Sequence, residues 1–231
     1  MMVFTLLIED KNEINAMDLA SDGSILATGG KDLSIRLYDT NTTEMKTKYF
    51  GALEQSFDQS IRNHAYRIFS LCFHPQQKYI LASGGWDESV KVWDLRTEKG
   101  LVRNIYGPHI CGDALDIEGE TNLLTGSWVA ENALQLWDLG SGKLISNVPY
   151  RSDRTKGEYL YCAKFTEGSL AIAGGSGSCS GQIISLKNME VLGEVKLSKA
   201  VHALDVKHKK VIMGSMEPRL KLLTLQQLPE D

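Results

Sequence analysis

The chain has 231 residues, with 25 Lys and Arg against 29 Asp and Glu and a formal net charge of −4. That balance excludes a nucleic-acid module working through a broad basic face, which needs a strongly basic local composition, and the length suffices for one to two ordinary domains with a buried core. Gly is frequent at 21 residues and Pro scarce at 5, which points to many tight turns rather than to disorder.

At the N-terminus, Val3 to Ile8 is a short apolar run with no basic residue before it and acids directly after it. It does not fit a secretory signal, and it reads as a strand over residues 3–9. From about residue 11 a four-phrase unit takes over. Its first phrase is Ala16-Met17-Asp18-Leu19, repeated as Ser70-Leu71-Cys72-Phe73, Ala114-Leu115-Asp116-Ile117, Cys162-Ala163-Lys164-Phe165 and Ala203-Leu204-Asp205-Val206. The second runs from apolar residues into a small pair: Gly29-Gly30, Gly84-Gly85, Gly126-Ser127, Gly174-Gly175 and Gly214-Ser215.

The third phrase alternates apolar and polar with period two, as a half-buried strand does. It is Ile35 to Asp39, Val90 to Asp94 and Leu134 to Asp138, with weaker copies at Ile183 to Leu186 and Leu220 to Leu223. A fourth apolar run follows, as at Leu101 to Tyr106, Lys143 to Val148 and Val191 to Leu197. Gly residues break every apolar run, so no helical stripe of period 3.6 survives. The longest uncharged stretch, Gly168 to Leu186, is interrupted by Gly, Ser and Gln182 and does not suit a bilayer span. Four cysteines are too sparse for a disulfide scaffold, so a cytoplasmic or nuclear location with reduced thiols is expected.

Four short strands recurring about every 40–45 residues, with Trp93-Asp94 and Trp137-Asp138 closing the third strand of two units and Tyr38-Asp39 that of the first, resemble the WD40 family of β-propellers. The resemblance implies an all-β fold, a WD40-type β-propeller with five recognisable repeats. They fall at about 11–51, 64–107, 108–150, 158–197 and 198–228 in one domain over 1–231. Seven blades are usual in the family. The alternatives are therefore a closed five-blade ring, with residues 3–9 supplying the closing strand, and an incomplete part of a seven-blade propeller.

The resemblance also assigns roles. His64, Ser83, Asp87 and Trp93 match the network with which WD40 blades tie a loop, a second strand, a turn and a third strand together. On this reading only the second blade is fully tied, and the set is structural rather than a hydrolase trio. The residue before the turn Asp is a frequent partner contact in the family, which singles out Lys31 and Trp86, with Trp128 in the related place one repeat on. Two long incoming loops, Gly51 to Asn63 and Arg151 to Lys156, fall on the same face. Together, Lys31, Arg67, Trp86, Trp128, Arg151 and Arg154 would form an aromatic, basic rim for protein or peptide ligands, acidic or phosphorylated segments among them.

The expected function is thus a non-enzymatic scaffold or adaptor with no cofactor, no metal, no nucleic-acid partner and no membrane. An alternative is a substrate receptor of a cullin-RING ubiquitin ligase, because Trp93-Asp94-Leu95-Arg96 matches a Trp-Asp-x-Arg motif in which the Arg (here Arg96) contacts the adaptor. Two further readings are weaker. Cys72-Phe73-His74 and His109-Ile110-Cys111 lack zinc-site spacing, and Gly174 to Gly181 lacks the Lys and following helix of a phosphate loop, so it reads as a slack turn. Asp18, Asp116 and Asp205 share one strand position, and they alone keep a glycosidase of the five-bladed kind in play.

Overall fold

The computed structural model describes residues 5–51, 63–152 and 155–225, and every regular element among them is a β-strand. Four antiparallel sheets have four strands each and the fifth has three. Blade I comprises β1 (Ile14–Leu19), β2 (Ile25–Gly30), β3 (Ile35–Asp39) and β4 (Met45–Tyr49). Blade II comprises β5 (Ile68–Phe73), β6 (Ile80–Gly85), β7 (Ser89–Asp94) and β8 (Leu101–Tyr106). Blade III comprises β9 (Leu115–Glu118), β10 (Asn122–Gly126), β11 (Leu134–Asp138) and β12 (Lys143–Asn147). Blade IV comprises β13 (Leu160–Thr166), β14 (Leu170–Gly175), β15 (Ser180–Ser185) and β16 (Glu190–Lys196). Blade V comprises β17 (Val201–Lys207), β18 (Lys210–Ser215) and β19 (Leu220–Thr224).

Every strand pairs with its sequence neighbour, so each blade is a meander. Residues 5–9 have no regular structure. The closing strand expected over 3–9 is therefore not formed there, and Val3 and Phe4 lie outside the described residues. The reason is local: Glu9 turns into blade I, where its side chain is needed, as shown below.

The blades fall into two compact units, blades I and II up to Gly107 and blades III to V from Pro108. Within each unit the first strand of one blade packs across the first two strands of the blade before it. The small pair ending each second strand makes this contact possible. A Cβ on Gly29 would sit 3.1 Å from the Ile68 side chain of the next blade, and one on Gly174 would sit 2.7 Å from Val201. The second residue of the pair meets a different neighbour. A Cβ on Gly30, Gly85 or Gly175 would lie 2.0, 2.2 or 2.2 Å from the carbonyl oxygen of Glu13, Arg67 or Tyr159, just ahead of the blade's own first strand. A register shift follows at once in each case, at Ile14/Ala16, Ile68/Ser70 and Leu160/Cys162, a bulge that bends the incoming strand over the Gly.

A carboxylate completes the contact between blades. Asp18 accepts the backbone N–H groups of Leu19 at 2.9 Å and of Phe73 in blade II at 2.6 Å. Asp116 repeats this with Ile117 at 3.0 Å and Phe165 of blade IV at 2.7 Å. At Asp18 and Asp116 the strand position that suggested glycosidase carboxylates is thus a clamp from one blade to the next, while Asp205 accepts the N–H of Val206 in its own strand at 2.8 Å. Blades II and IV carry Cys72 and Lys164 there, which leaves the following N–H available to the preceding blade's Asp.

Burial follows the neighbouring blade more than the strand's own sequence. Leu71 and Phe73 face blade I and are 4% and 5% exposed, whereas Met17 and Leu19, their counterparts in blade I, are 71% and 51% exposed. Ile172 of blade IV is fully buried in the cluster with Val201, Leu204, Val211 and Met213 of blade V. Its counterpart Ile212 is 40% exposed. Stacked repeats behave this way because each one buries its apolar face only through the next.

Candidate functional site: a tied blade pair and its aromatic groove

Blade II is held by a four-residue chain of hydrogen bonds. Trp93 Nε1–H donates to Ser83 Oγ at 2.8 Å, Ser83 Oγ meets His64 Nε2 at 2.6 Å, and His64 Nδ1 meets Asp87 Oδ2 at 2.8 Å. Ser83 has one hydrogen to give and the Trp nitrogen can only donate, so Ser83 donates to Nε2 and the neutral ring donates from Nδ1. Burial holds the His64 imidazole below its ordinary value, and the opposing pull of Asp87 does not overcome it. Burial also pushes the Asp87 carboxyl up. It is outweighed by the hydrogen bond from His64, by Lys91 and by the Ala65 N–H, so the group ends below the usual carboxylate range.

These directions predict a pH dependence. Unfolded His64 takes a proton near its ordinary pKa and the folded ring does not, so stability present above about pH 6.5 is lost as pH falls, by up to ~1.4 kcal/mol per pH unit. Asp116 works in the opposite sense, because burial pushes its carboxyl up to about 6, and that part of the profile is common to wild type and a His64 variant. Thermal midpoints measured between pH 7.5 and 5.5 should fall more steeply for wild type than for His64→Gln. Parallel profiles would show that His64 is not held neutral.

Blade I is tied as well, by a residue the sequence reading missed. Glu9 accepts from Thr28 Oγ1, from Tyr38 Oη at 3.0 Å, from Arg36 Nη1 at 3.1 Å and from Asn12 Nδ2 at 2.6 Å. Thr28, Asp32 and Tyr38 stand where blade II has Ser83, Asp87 and Trp93, and Glu9 takes the place of His64. Glu9 precedes Thr28 by 19 residues, as His64 precedes Ser83. Two carboxylates now face one another where His and Asp met, and Arg36 resolves the conflict by pairing with both Glu9 and Asp32. Tyr38 is pushed up to about 12 by burial and by its bond to Glu9. Blade III keeps a shorter tie, Trp137 Nε1–H to Thr125 Oγ1 at 3.1 Å.

The same local backbone presents the rim residues. Directly after the small pair, Lys31 N–H donates to the Glu13 carbonyl at 3.0 Å and Trp86 N–H to that of Arg67 at 3.2 Å. Trp128 N–H likewise donates to His109, at 2.8 Å. Lys31, Trp86 and Trp128 are therefore equivalent positions, each pinned by one backbone bond while the side chain projects from the loop.

Three of the expected partner-binding residues come together in the first unit. Lys31, Arg67 and Trp86, with Leu33 and Tyr66, line a groove of about 470 Å³. Trp86 stacks on Phe69 of its own blade with ring centroids 5.0 Å apart, yet remains 42% exposed. Glu13 bridges the two cations, pairing with Lys31 and with Arg67 at 3.1 Å.

The others are placed separately. Trp128 lies against Tyr159 with centroids 4.9 Å apart and donates from Nε1 to Tyr161 Oη at 3.0 Å, so it leans on blade IV. Arg151 belongs to a second recess in blade IV. Arg154 lies outside the described residues, as do Glu54, Asp58 and Arg62 of the long incoming loop. Arg96 forks onto its own turn residue, with Nε and Nη2 each 2.8 Å from an Asp94 carboxylate oxygen. His74 is buried and its Nδ1 accepts the N–H groups of Gln76 and Gln77, both at 3.1 Å, which makes it a turn cap.

The WD40 family model (WD domain, G-beta repeat) matches residues 3–39 and 55–94. Over 175 residues the chain is 26% identical to the WD repeat-containing protein srw1 of Schizosaccharomyces pombe, covering 74% of this chain and 28% of that protein. It is 25% identical to the pre-mRNA-processing factor 19 of Mus musculus, covering 74% of this chain and 30% of that one. The chain thus spans less than a third of the length of these relatives. Among solved structures, the RRP9 WD40 repeats match with a TM-score of 0.78 at 12% identity, over 96% of this chain and 63% of that one. A chain of the mitotic checkpoint complex matches with a TM-score of 0.75 at 15% identity, over 95% and 63%. The fold is that of a WD40 β-propeller. In repeats, relatives and fold the chain is similar to the WD40-repeat proteins.

Proposed function

We propose that the chain is a non-enzymatic scaffold that docks a protein or peptide segment in the groove at Trp86. The observation that carries this reading is the convergence of Trp86, Tyr66, Lys31 and Arg67 around one recess of about 470 Å³. Trp86 and Tyr66 offer large rigid apolar surfaces at little entropic cost, as binding hot spots do. Lys31 and Arg67 line the recess beside Asp32, whose carboxylate is paired with Arg36, and both also bond to Glu13. Their cationic ends sit next to the apolar anchor and offer an acidic or phosphorylated residue a charged partner. A rigid blade pair lowers the ordering cost of binding. A similar protein is a pre-mRNA-processing factor, and a chain of the mitotic checkpoint complex shares the fold, which agrees with an interaction scaffold. Four cysteines in 231 residues are too sparse for a disulfide scaffold, which fits a reducing compartment, cytosol or nucleus.

The test is a peptide-display selection against the purified chain, followed by affinity measurements on the selected peptides. Trp86→Ala is expected to weaken them by about 2 kcal/mol, some thirtyfold, and Arg67→Glu to reverse the preference for acidic flanks. Trp128→Ala made separately shows whether that tryptophan takes part. Selected peptides that bind Trp86→Ala as tightly as wild type would put the docking site elsewhere.

A further inference from the structure

We propose that blade IV carries a binding site for a phosphomonoester borne on a protein segment, built from Arg151, Lys156, Lys196 and Ser178. These residues, with Ser152, Gly177 and Glu194, line a recess of about 340 Å³. None of the chain segments that form it has a phosphate-loop sequence, and the site exists only because the fold brings Arg151, Ser152 and Lys156 together with Gly177, Ser178, Glu194 and Lys196. The inference rests on reading the chain as a ligand-binding scaffold, but not on the groove at Trp86.

The recess is built in advance. The buried Gln182 side chain clamps the Arg151 backbone from both sides, accepting its N–H at 2.8 Å and donating to its carbonyl at 2.6 Å. Its neighbour Tyr150 is buried and donates from Oη to the Ser180 carbonyl at 2.9 Å, with Ser178 Oγ 3.1 Å away. Ser178 Oγ and Ser180 Oγ lie 2.6 Å apart. On the opposite wall the loop is pressed so closely that a Cβ on Gly177 would fall 1.8 Å from the Gly157 carbonyl oxygen. Only Gly fits there, so Gly174 to Gly181 is a braced wall rather than a slack turn. Among the described residues, the Arg151 guanidinium donates to the Val191 carbonyl at 3.2 Å, and a guanidinium has five donors.

Charge selects the ligand. Among the described residues, three cations face one carboxylate, Glu194, which lies 3.9 Å from the Lys196 ammonium. The formal sum of +2 matches a phosphomonoester, which carries about −1.5 to −2 at neutral pH, better than it matches a carboxylate. Polyanions are disfavoured. The whole chain is at −4, which repels an anionic membrane or a nucleic acid, and one recess can neutralise only one phosphate of a run.

The test uses the full chain and a fluorescein-labelled degenerate peptide pool with a central phosphoserine, beside the same pool with serine, read by fluorescence polarisation. The phosphorylated pool is expected to bind at least about tenfold tighter, and Lys196→Gln and Arg151→Gln each to remove about tenfold. Binding should weaken below about pH 6, as the phosphate takes up its second proton. Lys196 is highly exposed, so Lys196→Gln keeps the fold, which a circular-dichroism melt verifies. Trp86→Ala should leave phosphate dependence intact, separating this site from the groove. Equal binding of the two pools, or retention of the preference in both recess variants, overturns the proposal. So does tighter binding to vesicles containing phosphatidylinositol 4-phosphate than to the phosphorylated pool, which would assign the recess to a lipid headgroup.

Discussion

Trp93→Ala is expected to destabilise the first unit by about 3–5 kcal/mol, the range for emptying a large aromatic site in a core. Trp93 is 1% exposed and shares a cluster with Leu37, Ile68, Leu71 and Leu81. Its ring stacks on Tyr49 of blade I with centroids 5.0 Å apart and an interplanar angle of 27°, so the loss reaches across two blades. Trp93→Phe separates packing from hydrogen bonding. It keeps most of the volume and removes one donor to Ser83, which retains His64 as a partner, and should cost about 1–1.5 kcal/mol. Urea unfolding followed by far-UV circular dichroism gives both values. An alanine variant within 1 kcal/mol of wild type would mean that the unit is held by something other than this core.

Glu9→Ala should be nearly as damaging, about 3–5 kcal/mol, although Glu9 lies outside every strand. The charged head it supports is buried: side-chain exposure is 2% for Glu9 and 9% for Arg36. Without it Arg36 keeps Asp32 alone, and the Tyr38 and Thr28 hydroxyls lose their acceptor, so an underpaired charge and two underpaired polar groups stay inside. Glu9→Gln preserves shape and an acceptor for the hydroxyls and should cost less than half as much. Tyr38→Phe should cost about 1 kcal/mol. The order Ala, then Gln, then Phe, measured by urea unfolding, distinguishes this tie from a frayed terminus, for which all three would sit near zero.

Glu9 also shows where reading by motif ends. The tie in blade II was visible because His64, Ser83, Asp87 and Trp93 are the residue types the family uses. In blade I the same job falls to Glu9, Thr28, Asp32, Arg36 and Tyr38, none of which repeats the pattern except the Asp. The usable signal was distance along the chain, the shared 19-residue interval, because a repeat conserves geometry even where its chemistry changes. The carboxylates at Asp18 and Asp116 misled in the opposite way. Their recurrence suggested chemistry, but each is consumed by backbone N–H groups of its own strand and of the next blade.

Local pattern was enough for the strands, their meander order and the small-residue pairs, because period-two alternation and Gly-bounded runs are properties of neighbouring residues. It was also enough to place Lys31, Trp86 and Trp128 at loop tips, since position within a repeat is a local fact. Contacts made between blades were beyond its reach. That Met17 is exposed while Leu71 is buried depends on what lies across the strand, not on the strand itself. The groove at Trp86 joins residues from the ends of two blades, and the basic recess joins three segments of blade IV far apart in sequence. Side-chain periodicity dictates which face each strand buries, but where charges from distant segments converge is set only when the blades are stacked.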